Sequence, residues 1–413
     1  MAASLPQELL LHIFQHLSMK ESAWREAAGR PELLGSLAIS LAADEGSLPR
    51  LWWLRRWLAA RGEQLGSLQL EIHVREDASD EVKQEAGEPA AACALAAAAG
   101  DALRQFSLSG NMPLPKVSSW LPSSAASLRQ LRLDFDCASL CLGWLEDASL
   151  EVLKATNRGG NVPLLFSHRL PDTFTRLALG GCREEALPSH LAGLTRLANC
   201  NLLGLGYHPL PALPALRRLQ LDSCGRQLPK CLSQLTRLEA LCIKKAPSLT
   251  EDALYAVADL SHVSRALLHL SSLTSLELEG LLECCLPPNL TARTRLRSLA
   301  WQPWQGAQLP PSRYSLPGTA GTASGAWLAG LRSLRLPAAL LARSQPKLSA
   351  ARQLTQVVAS NDCSTAEDAQ AVLRWAAEHP GLQCLVLQVE AASLGDAVAA
   401  AQLAAPSLRI QFA

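Results

Sequence analysis

Almost nothing in the bulk charge of this 413-residue sequence invites a polyanion: 38 basic and 37 acidic residues leave a formal net charge of +1. Without a basic excess, neither nucleic acid nor an anionic membrane is an expected partner. The twelve cysteines include no paired Cys-x-x-Cys units and no Cys/His group at zinc spacing. Cys137 and Cys141 stand four apart, and Cys284 and Cys285 are adjacent, a placement in which two thiols do not easily bridge. They read as reduced, mostly buried thiols of an intracellular chain.

A secretion signal is also missing. The first twenty residues carry Glu8, His12 and His16 where a signal has a basic start and an apolar run. The longest small-apolar stretch, Pro89 to Gly100, is too short for a bilayer and ends at Asp101. The expectation is a soluble protein of the cytoplasm or nucleus. Catalytic signatures are equally scarce. There is no phosphate-cradling glycine loop, no nucleophile elbow and no close carboxylate pair in a recognisable context. His12 and His16 are four apart, a spacing that suits zinc, yet no third ligand accompanies them. No metal, no cofactor and no catalytic residue is expected.

What the sequence has in abundance is leucine at a fixed spacing. The unit Leu-x-x-Leu-x-Leu occurs as Leu65-Leu68-Leu70, Leu128-Leu131-Leu133, Leu216-Leu219-Leu221, Leu273-Leu276-Leu278, Leu331-Leu334-Leu336 and Leu382-Leu385-Leu387. Variants fill the intervals: Leu34-Leu37-Ile39, Leu103-Phe106-Leu108, Leu150-Leu153-Ala155, Phe174-Leu177-Leu179, Leu194-Leu197-Asn199, Leu238-Leu241-Ile243, Leu296-Leu299-Trp301 and Leu354-Val357-Ala359. A poorer copy surrounds Leu408 and Ile410. From Leu128 to Leu238 the first positions fall at 128, 150, 174, 194, 216 and 238, in steps of 22, 24, 20, 22 and 22 residues.

That periodicity resembles the leucine-rich repeat, whose units run about 20–29 residues. Alternation at the last two apolar positions marks a short strand with both side chains on one face. So short a strand is not stable alone; stacked repeats pair their strands in parallel and pool their leucines. The expected fold is an α/β leucine-rich-repeat solenoid over 37–413, a horseshoe with a parallel sheet on its concave face. Asn157 and Asn361 sit where the family ties the turn after each strand to its neighbour, with Cys182 and Cys224 close to that position in other copies.

The return segments show as well. Leu187-Pro188-x-x-Leu191-x-x-Leu194 and Leu228-Pro229-x-x-Leu232-x-x-Leu235 predict short 3₁₀ or extended turns. Helical spacing appears over 251–270, through Leu254, Val257, Ala258, Val263 and Leu267. It recurs over 365–378, through Ala366, Ala369, Val372, Leu373 and Ala376. The run 51–58, with Trp52, Trp53 and Trp57, predicts another convex helix, its tryptophans serving either the core or a partner. Two insertions break the period: 75–102, acidic then alanine-rich, and 303–326, rich in proline and small residues, which reads as a mobile loop.

Residues 1–36 stand outside the repeat. Leu5-Pro6 is followed by Leu9-Leu10, Ile13-Phe14 and Leu17, apolar positions that share one wide helical face, with Pro6 suited to the first helical position. This series resembles the opening of an F-box. Trp24-Arg25 and then Pro31-Glu32-Leu33-Leu34 resemble its later part. Trp24 comes seven residues after Leu17; that is about eight fewer than the family spacing, or about two helical turns. An amphipathic helix capping the solenoid core explains the same residues.

An F-box followed by leucine-rich repeats looks like the substrate receptor of an SCF-type ubiquitin ligase. The resemblance implies that Leu5, Pro6, Leu9, Leu10, Ile13, Phe14 and Leu17 face a Skp-type adaptor, which joins them to a cullin. The repeats would hold a protein substrate, of identity unknown, and the chain would do no chemistry itself. Side chains between and just before the inward leucines face outward from the sheet. The expected substrate column includes Arg132, Lys154, Arg176, Arg196, Arg218, Gln220 and Lys244. Arg176, Arg196 and Arg218 fall at one place in three successive copies, a basic strip that either receives an acidic or phosphorylated segment or is simply a solvated polar face. Further along, Glu277 and Glu279 reverse the sign.

Overall fold

Alternation of apolar and polar residues dictates the strands, and fifteen copies of it are seen in a computed structural model of the chain. The structure describes residues 36–43, 52–59, 65–74, 102–113, 127–141, 149–180, 191–222, 230–244, 261–281, 286–303, 316 and 326–412, with short gaps inside several stretches. The F-box-like residues before 36, and most of the insertions 75–102 and 303–326, lie outside the described residues. So do Cys182, Cys224 and Asn361. The chain divides into two units, residues 1–197 and 198–413.

The first unit contains β1 (Ser36–Ala43), β2 (Ser67–Val74), β3 (Gln105–Pro113), β4 (Gln130–Asp136), β5 (Leu140–Cys141), β6 (Val152–Asn157), β7 (Leu164–Leu165) and β8 (Arg176–Gly180). Strands β1, β2, β3, β4, β6 and β8 pair in parallel in that order, while β5 and β7 form a separate parallel pair. Register aligns Leu37, Leu68, Phe106, Leu131, Leu153 and Leu177 in one inward row. Ile39, Leu70, Leu108, Leu133, Ala155 and Leu179 form the next. From β2 onward both rows are buried, as are Leu65, Leu103, Leu128, Leu150 and Phe174 just before the strands. Each leucine so buried contributes roughly 1.5–3 kcal/mol, which is why the spacing is held.

Backbone bonds reinforce the register. The carbonyl of Arg104 accepts from the amides of Arg129 and Gln130, at 2.8 and 3.0 Å. That of Arg129 accepts from Glu151 and Val152, also at 2.8 and 3.0 Å. Asn157 is the last residue of β6. In the tryptophan-rich run, Leu54 and Leu58 are buried, whereas Trp52 is exposed beneath the Arg55 guanidinium, 5.1 Å from its ring centre.

The second unit contains β9 (Asn199–Leu203), β10 (Arg218–Asp222), β11 (Ala240–Lys244), β12 (Ser275–Leu281), β13 (Ser298–Pro303), β14 (Ser333–Pro337), β15 (Gln356–Ser360), β16 (Cys384–Leu387) and β17 (Arg409–Phe412), parallel and in chain order. Opposite the sheet lie short return segments. As the spacing predicts, 230–234 is a 3₁₀ turn with Leu232 and Leu235 buried. Helix α1 (Ser261–Leu267) falls within the helical pattern of 251–270; α2 (Ala326–Ala329) is a single turn. Helix α3 (Ala338–Leu348), which the spacing does not predict, packs on α4 (Ala366–Glu378), and α4 on α5 (Gly395–Ala404). Helix α4 matches its predicted range and buries Ala369, Val372, Leu373 and Ala376. One residue of the proline-rich insertion, Leu316, is buried, and its carbonyl accepts from Lys347 Nζ at 3.0 Å.

One repeat departs from its predicted frame. Leu194-Leu197-Asn199 is not a strand copy; the copy is Leu197-Cys200-Leu202, three residues on. Cys200 and Leu202 are the register partners of Leu219 and Leu221, and the amides of Arg217 and Arg218 both donate to the Ala198 carbonyl. Physically, Leu191, Leu194 and Leu197 are all buried at three-residue spacing, so the apolar series has no visible start. The first positions are therefore 174, 197 and 216.

Candidate binding face on the outer side of each sheet

Leucines fill the inner side of each sheet, so every second residue of a strand projects from the other side. In the first unit, Arg132 on β4 and Lys154 on β6 are direct register partners. Arg176 on β8 pairs with Val152, two residues before Lys154. All three side chains are exposed, and no ion pair among the described residues engages them.

Arg196 does not join them. It precedes Leu197 in the turn before β9, and the place it was expected to fill beside Arg218 belongs to Asn199. The frame shift of three residues is the cause. Arg176, Arg196 and Arg218 therefore do not fall at one place in three successive repeats; the basic group of the first unit is Arg132, Lys154 and Arg176.

The second unit keeps the remaining expected residues but surrounds them differently. Arg218 is exposed, while Gln220 and Lys244 are half-buried. Gln220 Nε2 donates to Asp222 Oδ2 at 2.8 Å. Lys244 lies in register between Asp222 and Glu279. Its Nζ donates to Glu277 Oε1 at 3.0 Å and to Glu279 Oε2 at 2.8 Å. The Glu279 carboxylate, with help from Glu277, holds the Lys244 ammonium above the usual lysine range against partial desolvation. Burial pushes the Asp222 carboxyl up; Gln220 and Lys244 oppose the shift, and the charges of Glu277 and Glu279 reinforce it. Burial likewise raises the Cys242 thiol, which faces Glu277 across the strands.

Sequence reasoning missed Asp222, Asn201 and Gln302. Asn201 Oδ1, Asp222 Oδ1 and Gln302 Oε1 are each shielded from water without a hydrogen-bond donor among the described residues. Asp222 follows Gln220 by two residues on β10, so alternation places it on this face. Among the described residues, no group of three or more His, Cys, Asp or Glu could hold a metal ion. No described helix is long and apolar enough to cross a membrane.

Parallel strands in chain order, one per 19–35 residues of sequence in the second unit, with a buried leucine ladder inside and polar side chains outside, decide the architecture. The fold is a leucine-rich-repeat solenoid. No family model and no curated protein matches the sequence. Among solved structures, the chain is similar to the leucine-rich-repeat ectodomain of a plant membrane receptor kinase from Arabidopsis thaliana. That match has 14% identity and a TM-score of 0.38, and covers 80% of this chain and 46% of the ectodomain. A leucine-rich-repeat protein of Leptospira interrogans is 14% identical, with a TM-score of 0.42, and the match covers 94% of this chain and 98% of that one. A plant peptide hormone receptor in complex with its peptide is 14% identical, with a TM-score of 0.38, over 79% of this chain and 52% of the receptor. The chain thus spans about half the length of those two plant receptors.

Proposed function

We propose that this chain is a non-catalytic protein-binding subunit, the substrate receptor of an SCF-type ubiquitin ligase. The observation that carries the binding role is the outer sheet face: its charged and polar side chains are not needed by the leucine core, and paired strands hold them in fixed register. Such a face suits an extended protein partner more than a small molecule, which needs a concave apolar site. The ligase role rests on the F-box-like residues Leu5, Pro6, Leu9, Leu10, Ile13, Phe14 and Leu17, which end close before the first repeat strand. A receptor of this kind works by raising the local concentration of its substrate beside a catalytic partner. Its partners would be a Skp-type adaptor, through it a cullin, and a protein substrate, within the cytoplasm or nucleus.

One observation favours a second reading, a scaffold without a ligase. Leu37 and Ile39 on β1 are half-buried, whereas their register partners Leu68 and Leu70 are fully buried. The first repeat thus leaves its apolar row partly open, and an amphipathic helix before it would serve as a cap.

A pull-down of the full chain on purified Skp adaptor separates the two. The receptor reading expects capture that is lost in the variant with Leu9, Ile13 and Phe14 all changed to Ala. Absence of capture by the intact, folded chain leaves the scaffold reading.

A further inference from the structure

We propose that the outer face of β4, β6 and β8 docks an extended, carboxylate-bearing segment of a partner protein on Arg132, Lys154 and Arg176. The proposal rests on the reading of the outer sheet face as a protein-binding surface and names the chemistry of what binds there.

Register carries the argument. Arg132 and Lys154 stand directly opposite each other on strands about 4.8 Å apart, an arrangement that like charges destabilise. Arg176 adds a third cation on the next strand. The same chain treats a cation differently in its second unit, where Lys244 has two carboxylates within 3.0 Å. The residues in line with Arg132 and Lys154 on the flanking strands are Ser107 and Ala178, too short to shield them or to neutralise them. Asp134, two residues beyond Arg132, is half-buried and already engaged. Three exposed cations on one rigid face therefore have no counter-ion of their own among the described residues.

The spacing also describes the ligand. Side chains on one side of an extended peptide recur about every 6.6–6.8 Å, twice the rise of a strand. Acidic residues at alternate positions meet Arg132 or Lys154 with one carboxylate and Arg176 with the next. Arginine's planar fork can accept a carboxylate with two parallel hydrogen bonds, which suits it to this contact.

The test uses the full chain and a dye-labelled oligo-glutamate peptide, followed by fluorescence anisotropy in about 0.1 M salt, where the Debye length is about 10 Å. Three proteins are compared: the natural chain, the triple variant R132E/K154E/R176E, and, as a control, R374E, at an exposed position of helix α4 away from the strands. The natural chain and R374E are expected to bind alike, and the triple variant about tenfold more weakly or worse, a change of about 1.4 kcal/mol or more. All three altered side chains are exposed, and a thermal melt shows that each variant is folded. Failure of the natural chain to bind, or equal binding by the triple variant, overturns the proposal. An oligonucleotide of equal charge that binds more tightly through the same three residues overturns it too, by assigning the face to a polynucleotide. Adaptor capture with no oligo-glutamate binding removes this inference and leaves the receptor reading intact; the converse removes the receptor reading alone.

Discussion

The ammonium of Lys244 lies 2.8 Å from Glu279 Oε2 and 3.0 Å from Glu277 Oε1, one cation joining two carboxylates of the neighbouring strand. Asp222 stands in register on its other side. Replacing Lys244 with Met leaves three carboxylates on adjoining strands without their cation. Half-exposed pairs contribute about 0.2–1 kcal/mol each, so Lys244→Met is expected to lower stability by about 1 kcal/mol. The shift in urea midpoint should shrink as salt rises toward about 1 M, where screening acts within about 3 Å. A loss that salt does not change would mean that the lysine stem packs rather than pairs.

Cys200 faces the leucine core, and burial alone pushes its thiol up to about 12. A thiol attacks only as thiolate. Iodoacetamide labelling at pH 7.5, mapped by mass spectrometry, is expected to leave Cys200 unmodified in the native chain and to modify it in urea. Fast native labelling would return this repeat to the frame with Asn199 inside.

The failure at that repeat shows what was legible. Where the three apolar positions of the motif stood clear of other leucines, as in Leu128-Leu131-Leu133 or Leu382-Leu385-Leu387, spacing alone placed strand, inward face and register. Between Leu191 and Leu202 the return segment and the motif share a three-residue period, and the inward position is a cysteine, which packs as a small hydrophobe. Nothing local marks the frame there; the neighbouring strand decides it. Helix α4 was legible through its apolar face. Helix α3 was not, because its buried Ala338, Ala339, Leu340 and Leu341 are consecutive, and a continuous apolar run carries no period. The basic group was recovered only in part, since charges converge by register between repeats, which no single repeat encodes. The F-box-like opening was read from sequence and falls among residues not described.

Helix α4 begins with a reciprocal pair. Thr365 Oγ1 accepts from the Asp368 amide at 3.2 Å, and the Thr365 amide donates to Asp368 Oδ2 at 3.0 Å. Two amides that lack helical partners are thereby satisfied. Thr365→Ala is expected to cost about 1 kcal/mol in urea denaturation. Thr365→Ser, which keeps the acceptor, should restore most of it, whereas equal loss in both would assign the effect to the threonine methyl.

His379 fills a position that Leu213, Leu235 and Leu270 occupy in other repeats, three residues before the first leucine of the motif. It is buried against Trp375, ring centres 5.3 Å apart, and its Nδ1 accepts from the Gly381 amide at 3.4 Å. Burial lowers its pKa, opposed by a backbone hydrogen bond with Ala351. The folded chain therefore holds the imidazole neutral to a lower pH than the unfolded chain, whose histidine titrates near about 6.5. The unfolded state takes the proton first, so the full contribution to stability is present above about pH 6.5 and declines as pH falls through that value toward the folded pKa. His379→Leu removes this one titration. Urea midpoints of the natural chain and the variant, taken at pH 7.5 and pH 5.5, should diverge in favour of the variant at the lower pH. Parallel midpoints across that range would show that His379 is protonated as readily in the fold as outside it, with the Gly381 amide turned away to admit the second proton.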